Sequence, residues 1–143
     1  MAIANLQETL LSYMMRKSDI LAEISHLNSQ KNIALVEQAD VNSLLNAGRN
    51  ATRAQFRELY ENSPELQERY SDYTQIPEFN EEMDRIEAMY QQQLEELNNW
   101  ETELDNQITT NSAELEEINA WTESLKSMLS SNIQDDFDFG LGS

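Results

Sequence analysis

The sequence predicts an all-α protein, a long antiparallel helical hairpin of the coiled-coil type with a short helical and aromatic connection and an extended C-terminal tail. Only 3 Gly and 2 Pro occur in 143 residues, which leaves few places for turns. Apolar residues recur at steps of three and four residues in both halves, the period of an amphipathic helix. A Ser-Pro pair separates two periodic stretches, residues 1–62 and 78–132, whose similar lengths suit the two arms of a hairpin.

The first arm, residues 1–62, follows a heptad pattern. With Ile3 as position a, every d position through Val41 is apolar: Leu6, Tyr13, Ile20, Leu27, Ala34 and Val41. This pattern predicts a helix that packs against a partner along its a and d positions, here called the seam. Further apolar residues at e positions are expected to widen the stripe: Met14, Leu21 and Leu35. Lys17, Lys31 and Gln38 occupy a positions, where they either fix register and partner choice or let their stems pass beside the seam.

Gly48 takes the place of an apolar d residue. Gly costs about 1 kcal/mol relative to Ala inside a helix, so either the helix bends here or Gly48 lets another helix approach closely. The apolar pattern resumes beyond it, which predicts a continuous helix. Arg49, Arg53 and Arg57 then follow at four-residue steps and form a basic row on one face. This row is either solvated or an electrostatic docking site for the Glu-rich face of the C-terminal half.

The connection comprises residues 63–77. Ser63 is a good N-cap residue and Pro64 suits the first helical position, so a short helix from Pro64 to about Tyr70 is predicted. The remainder has an aromatic character, with Tyr70, Tyr73, Ile76 and Phe79 in and around it. Pro77 is expected to open the second long helix, because its fixed backbone angle suits a first helical turn.

The second arm, residues 78–132, is acidic and carries the clearest apolar stripe. Its expected seam and assembly residues are Leu94, Leu97, Trp100, Leu104, Ile108, Leu115, Ile118, Trp121 and Leu125. The stripe is interpreted as leaving a strict heptad register, moving from a flank with Trp100 and Trp121 to one with Ile108 and Leu115. Two Trp on one helix present more apolar surface than a single partner helix covers, which indicates further helices in a bundle or an oligomer.

Residues 133–143 form an acidic, aromatic tail. Phe137, Phe139 and Leu141 alternate with polar or small residues, a pattern typical of an extended segment that lies on a surface. These three residues are the expected docking residues of the tail, and neighbouring subunits are its natural binding surface.

The net charge of −18 is concentrated in the second half. Residues 1–62 carry six Lys and Arg against seven Asp and Glu, whereas residues 63–143 carry three against twenty. This asymmetry indicates an electrostatic partner, either the other half or another copy. Nucleic acid is a poor ligand for such a chain, because its phosphates would be repelled.

The sequence contains no Cys, which excludes disulfides and thiolate metal sites. No apolar run is long enough for a transmembrane segment. The N-terminus does not follow the pattern of a Sec-type signal peptide, so the expected location is the cytoplasm or a compartment reached by a route that needs no signal.

No residue constellation indicates catalysis, a cofactor or a metal. The single His26 has neither a Cys nor a second His to work with, which excludes dyads of the Cys–His kind. Glu23 and His26 form one Glu-x-x-His motif, but a di-metal helical bundle needs two. The chain is therefore expected to be non-enzymatic, with no catalytic, cofactor-binding or metal-binding residues.

Two functions remain. The first is a structural subunit that self-assembles through its long helices into a homo-oligomer, with a filament or tube as the extended form. In this scheme the Arg row of one copy contacts the Glu-rich face of another, and such head-to-tail contacts run on into rings or helices. The layout loosely resembles the helical-hairpin subunits of bacterial secretion needles and filaments. The alternative is an acidic helical-hairpin adaptor or chaperone that binds a protein partner, such as another helical protein.

Overall fold

The computed structural model describes the backbone of residues 3–142 and the side chains of residues 3–135. The helices are α1 (Ile3–Asn62), α2 (Pro64–Arg69) and α3 (Pro77–Gly142), with a short 3-10 helix at Tyr73–Gln75 between α2 and α3. Helices α1 and α3 pack against each other, which confirms the predicted all-α helical hairpin.

Helix α1 forms because its a and d positions bury apolar side chains against α3. The buried apolar residues of α1 are all at these positions: Leu6, Ile20, Leu27, Ala34, Val41 and Leu45. The expected widening at the e positions is wrong, since the Met14, Leu21 and Leu35 side chains are exposed. The physical reason is that one antiparallel partner helix covers only the narrow a/d stripe.

Gly48 lies within α1 without interrupting it. A β-carbon at this position would lie 3.4 Å from Cγ2 of Ile86 and 3.9 Å from Cε2 of Tyr90, both on α3. Gly48 therefore allows α3 to approach α1 closely, the second of the two interpretations of this residue.

The connection is fixed to the end of α1 by side-chain hydrogen bonds. Ser63 caps α2, because its Oγ accepts a hydrogen bond from the Leu66 backbone N–H at 3.4 Å. Nε2 of Gln67 donates to the carbonyl oxygens of Tyr60 and Glu61 at 2.9 and 3.1 Å, and so satisfies two of the carbonyl groups that the end of a helix leaves unpaired.

Aromatic rings pack beneath the connection. The Phe79 ring makes edge-to-face contacts with Phe56 and Tyr73 at centroid distances of 5.5 and 5.4 Å. The Arg57 guanidinium lies 5.4 Å from the centroid of the Tyr73 ring, a cation–π contact. Buried Ile76 completes this part of the core.

Helix α3 keeps a regular register in its C-terminal part. From Leu104 its buried and half-buried positions alternate at four- and three-residue steps through Ile108, Asn111, Leu115, Ile118, Thr122, Leu125 and Leu129. The predicted move of the stripe onto the Trp121 flank is therefore wrong for residues 104–129. The polar seam residue Thr122 caused the error, since a comparison of apolar positions alone passes over it and selects the adjacent Trp121. Nearer the connection the register does change, since buried Phe79 and Ile86 are seven residues apart and half-buried Leu94 follows Ile86 by eight.

The C-terminal residues differ from the expected extended tail, because α3 continues to Gly142. No Pro follows Pro77, and Ile133, Phe137 and Leu141 are also spaced at the four-residue step of a helix. Alternation at Phe137, Phe139 and Leu141 was thus compatible with both conformations. The predicted docking by these three side chains lies outside the described residues.

The chain divides into two compact units. The terminal unit contains the residues up to Gln30 and those from Leu104 onward, and the loop unit spans Lys31–Glu103. In each unit a segment of α1 packs antiparallel to a segment of α3. In the loop unit Gln38 contacts Glu101 and Arg49 contacts Glu87, and in the terminal unit Tyr13 contacts Trp121 and Arg16 contacts Glu114.

Candidate interaction surfaces

The predicted seam residues of α3 differ in burial. Leu104 and Ile118 are buried, and six others are half-buried: Leu94, Leu97, Trp100, Ile108, Leu115 and Leu125. Trp121 is 46% exposed, and its ring tilts against Tyr13 at a centroid distance of 5.4 Å. Trp121 therefore lies beside the seam, and the seam position next to it belongs to Thr122.

Thr122 is an unusual seam residue because its hydroxyl is buried without a hydrogen-bond partner in the described part of the chain. Asn111 and Thr52 are also buried in the hairpin. Leaving a buried polar group unpaired costs about 1–3 kcal/mol, so Thr122 weakens the terminal unit.

Polar contacts join the two helices at the edges of the seam. Nε and Nη2 of Arg16 donate to the two carboxylate oxygens of Glu114 at 2.9 and 3.0 Å, a bidentate pair in the terminal unit. In the loop unit Nε2 of Gln38 donates to Oε2 of Glu101 at 2.9 Å. These contacts favour the observed register, although exposed pairs of this kind add little to stability.

Two of the three residues in the Arg row contact groups of their own chain outside α1. Nη2 of Arg49 lies 2.9 Å from Oε1 of Glu87 on α3, and Arg57 covers the Tyr73 ring. The Arg53 side chain is exposed, and among the described residues its Nη1 donates only to Oδ1 of Asn50 at 3.4 Å, close to the limit for a hydrogen bond. Within the row, Arg53 is thus the residue best placed to meet an external carboxylate.

A shallow groove of about 370 Å³ lies between α1 and α3 in the loop unit. Its lining consists of Glu37, Asp40, Val41, Gln93, Glu96, Leu97 and Trp100. Three carboxylates surround the half-buried Trp100, and the lining includes no Lys or Arg. A cation with an apolar stem matches this combination of charge and apolar surface.

Two carboxylates near the connection have lowered pKa values. The Thr74 hydroxyl donates to Oδ2 of Asp72 at 2.7 Å, which holds the pKa of Asp72 below its usual value, and the Tyr73 and Thr74 backbone N–H groups act in the same direction. The guanidinium of Arg85 likewise hydrogen-bonds Glu82 and lowers its pKa. Both are local charge-stabilising contacts near the connection.

Exposed large apolar side chains are concentrated on α1, where the sequence did not predict them. Among the described side chains thirteen large apolar residues are exposed, and nine of these are on α1: Leu11, Met14, Met15, Leu21, Ile33, Leu35, Val36, Leu44 and Leu59. A comparison of all seven heptad positions could have found them, since many lie at b, e and f, away from the a/d seam. Helix α1 thus carries exposed apolar side chains outside the seam in both units.

The described residues hold no group of three or more His, Cys, Asp or Glu side chains arranged to bind a metal ion, and His26 is exposed. Within the same residues, no helix combines the length and apolar character needed to cross a membrane. Comparison with known proteins found no matching family model, curated protein or solved structure.

Proposed function

We propose that this chain is a structural subunit that self-associates through its long helices into a homo-oligomer, with a filament or tube as the extended form. The observation that carries the proposal is the set of large apolar side chains exposed on α1, which are nine of the thirteen among the described residues. Exposed apolar side chains that adjoin one another mark interaction sites, as Leu11 and Met15 do in the terminal unit and Ile33 and Val36 do in the loop unit.

The energetics favour association through α1. Burying one Leu or Met side chain contributes about 1.5–3 kcal/mol, so a few of these residues supply enough driving force for association. The net charge of −18 opposes it, and most of that charge lies in residues 63–143. Association should therefore occur through α1 and should strengthen with salt, which screens the repulsion between copies.

Light scattering on a sizing column, combined with negative-stain imaging at low and high salt, tests this proposal. Oligomers or rods many subunits long, more abundant at high salt, are the expected result. A monodisperse monomer at every salt and protein concentration would overturn it.

The acidic groove at Trp100 favours one second candidate, an adaptor that binds a basic partner. A Lys- or Arg-rich amphipathic helix would place its charges near Glu37, Asp40 and Glu96 and an apolar stem on the indole. Titration of a Lys-rich helical peptide into a Trp121→Phe variant, followed through Trp100 fluorescence, tests this candidate. Saturable binding that Glu96→Lys abolishes would support it, and an unchanged spectrum would exclude this groove.

A further inference from the structure

The acidic groove at Trp100 combines apolar side chains with carboxylates. Its apolar lining consists of buried Val41 and half-buried Leu97 and Trp100. Its three carboxylates are on exposed side chains: Glu37, Asp40 and Glu96. The lining includes no Lys or Arg. A planar guanidinium suits such a surface, because it stacks on an indole while its N–H groups donate to carboxylate oxygens.

Arg53, in the same loop unit, carries a guanidinium that has no carboxylate partner among the described residues. Its side chain is exposed and makes one long hydrogen bond, to Asn50. Arg69 is also exposed, but it lies in the last turn of α2, where the helix dipole favours a cation. The remaining arginines contact a carboxylate or an aromatic ring: Arg16, Arg49, Arg57 and Arg85. Arg53 is therefore the arginine of this chain most available to a second copy.

Arg53 and the acidic groove lie on opposite flanks of the loop unit. Arg49, one helical turn before Arg53 and on the same face of α1, contacts Glu87 of α3. Because a helix has 3.6 residues per turn, Glu87 and Trp100 lie on opposite sides of the seam residue Leu97 around α3. The flank that carries Arg53 is therefore the one opposite the groove, and a single hairpin cannot place Arg53 in its own groove.

A second copy can bring these two flanks together. Such a contact is head-to-tail, because a copy that places its Arg53 in the groove of one neighbour keeps its own groove free for another. Contacts of this kind continue into rings or helical filaments. The net charge of −18 makes most approaches between copies repulsive, whereas opposite charges meet in this one.

We infer that the acidic groove at Trp100 binds Arg53 of a second copy, with the guanidinium stacked on the indole and donating to the surrounding carboxylates. This contact rests on the proposed function, because it names a pair of surfaces through which the subunits associate. It differs from contacts made by the exposed apolar side chains of α1. Salt should weaken it, since added ions screen the attraction between the guanidinium and the carboxylates.

Charge reversal on either side of the contact tests it in the full chain. Arg53→Glu places a carboxylate against the acidic groove, and Glu96→Lys places an ammonium group against Arg53, so each variant should associate about tenfold or more weakly than the wild type. Arg69→Glu and Glu95→Lys make the same charge changes at exposed positions outside the contact and should have much smaller effects. Sedimentation velocity compares all the chains at one intermediate ionic strength, because salt weakens this contact but relieves the general repulsion between copies.

A mixture of the two reversed variants gives an independent readout. Copies with Glu96→Lys retain Arg53, which fits the unaltered groove of copies with Arg53→Glu. The carboxylate introduced at position 53 in turn meets the ammonium group introduced at position 96. An equimolar mixture should therefore regain association close to that of the wild type, with the two variants alternating. Mixing does not repair a folding defect, so this recovery reports the contact itself, and circular dichroism of each variant alone checks its helical content.

The outcomes separate this contact from the proposed function. A mixture that associates no better than the two variants alone, while the wild type assembles, would overturn the contact and leave self-association intact. Reversed variants that associate as well as Arg69→Glu and Glu95→Lys would do the same. A wild-type chain that is monomeric under all conditions would overturn both, and a Lys-rich helical peptide that then binds the groove would assign it to an external partner.

Discussion

Arg49 on α1 and Glu87 on α3 form an ion pair in the loop unit, with Nη2 and Oε1 2.9 Å apart. The two side chains are 29% and 43% exposed, so water screens the contact. This pair places one member of the basic row against the acidic helix of its own chain. The sequence indicated attraction between the basic row and the acidic second half of the chain. At Arg49 this attraction acts within the hairpin itself.

Loss of this ion pair should have only a small effect on stability. Glu87→Gln is expected to lower the free energy of unfolding by about 0.2–1 kcal/mol, the range for partly exposed pairs. Urea titrations of the wild type, Arg49→Gln, Glu87→Gln and the double variant would give the coupling energy. This coupling energy should shrink at high salt. A coupling energy well above this range would show that the pair is less screened than its exposure implies.

Reversal of the charge at Arg53 tests electrostatic docking between copies. If Arg53 meets the acidic face of another copy, Arg53→Glu should weaken assembly far more at low salt than at high salt, because salt screens exposed charges. Sedimentation velocity across a salt series would measure this. Arg69→Glu, an equal charge change in α2, is the matched control, and an effect of Arg53→Glu that does not depend on salt would rule out the docking.

A charge in the seam should disrupt the terminal unit. Leu104 is 2% exposed, so Leu104→Asp buries an unpaired carboxylate and is expected to cost about 3–5 kcal/mol. Ile108→Asp, at a half-buried position, should also destabilise the fold. Circular dichroism melting and size measurements would detect the loss of helix or of association. Thr109→Asp, at an exposed position of the same helix, should remain close to the wild type.

Removal of the unpaired hydroxyl should stabilise the hairpin. Thr122→Val keeps the side-chain shape but deletes the buried Oγ1, so the free energy of unfolding should rise by about 1 kcal/mol. Thr110→Val is the comparison, because the Thr110 hydroxyl is exposed and donates to the Asn106 carbonyl oxygen at 3.0 Å. A destabilised Thr122→Val would mean that the hydroxyl has a partner in solution.

The lowered pKa of Asp72 predicts a defined pH dependence. A carboxyl group whose pKa is lower in the folded state stabilises the fold above its unfolded pKa of about 3.9, and this contribution is lost as the pH falls through the folded pKa. Thr74→Val removes the largest cause of the shift and should raise the pKa of Asp72. Carbon-detected NMR titration of the carboxyl group would measure it. Equal pKa values in the two proteins would show that the hydroxyl does not act on Asp72 in solution.

The sequence predicted the parts of the fold that depend on apolar spacing and turn chemistry. Residues such as Ile20, Leu27 and Ala34 mark the α1 seam because their period and their burial coincide. Ser63 and Pro64 mark the start of α2 because capping is a local property. Thr122 was missed, because a polar residue gives no apolar signal even where it occupies a seam position.

The candidate surfaces were harder to predict than the fold. Met14 and Leu21 are apolar and adjacent to the seam, so periodicity alone could not distinguish a wider inner stripe from part of an outer face. Only the position of α3 decides between the two. Trp100 and Trp121 drew attention by their size, yet most of the exposed large apolar side chains are on α1.

The connection has a consequence for the order of folding. Its contacts join residues close together in the chain, such as Tyr60 and Tyr70, which are 10 positions apart, whereas Arg16 and Glu114 are 98 apart. Closing a short loop costs less conformational entropy than closing a long one. The hairpin should therefore nucleate at its aromatic connection and zip toward the two chain ends, with Trp100 acquiring its native fluorescence before Trp121.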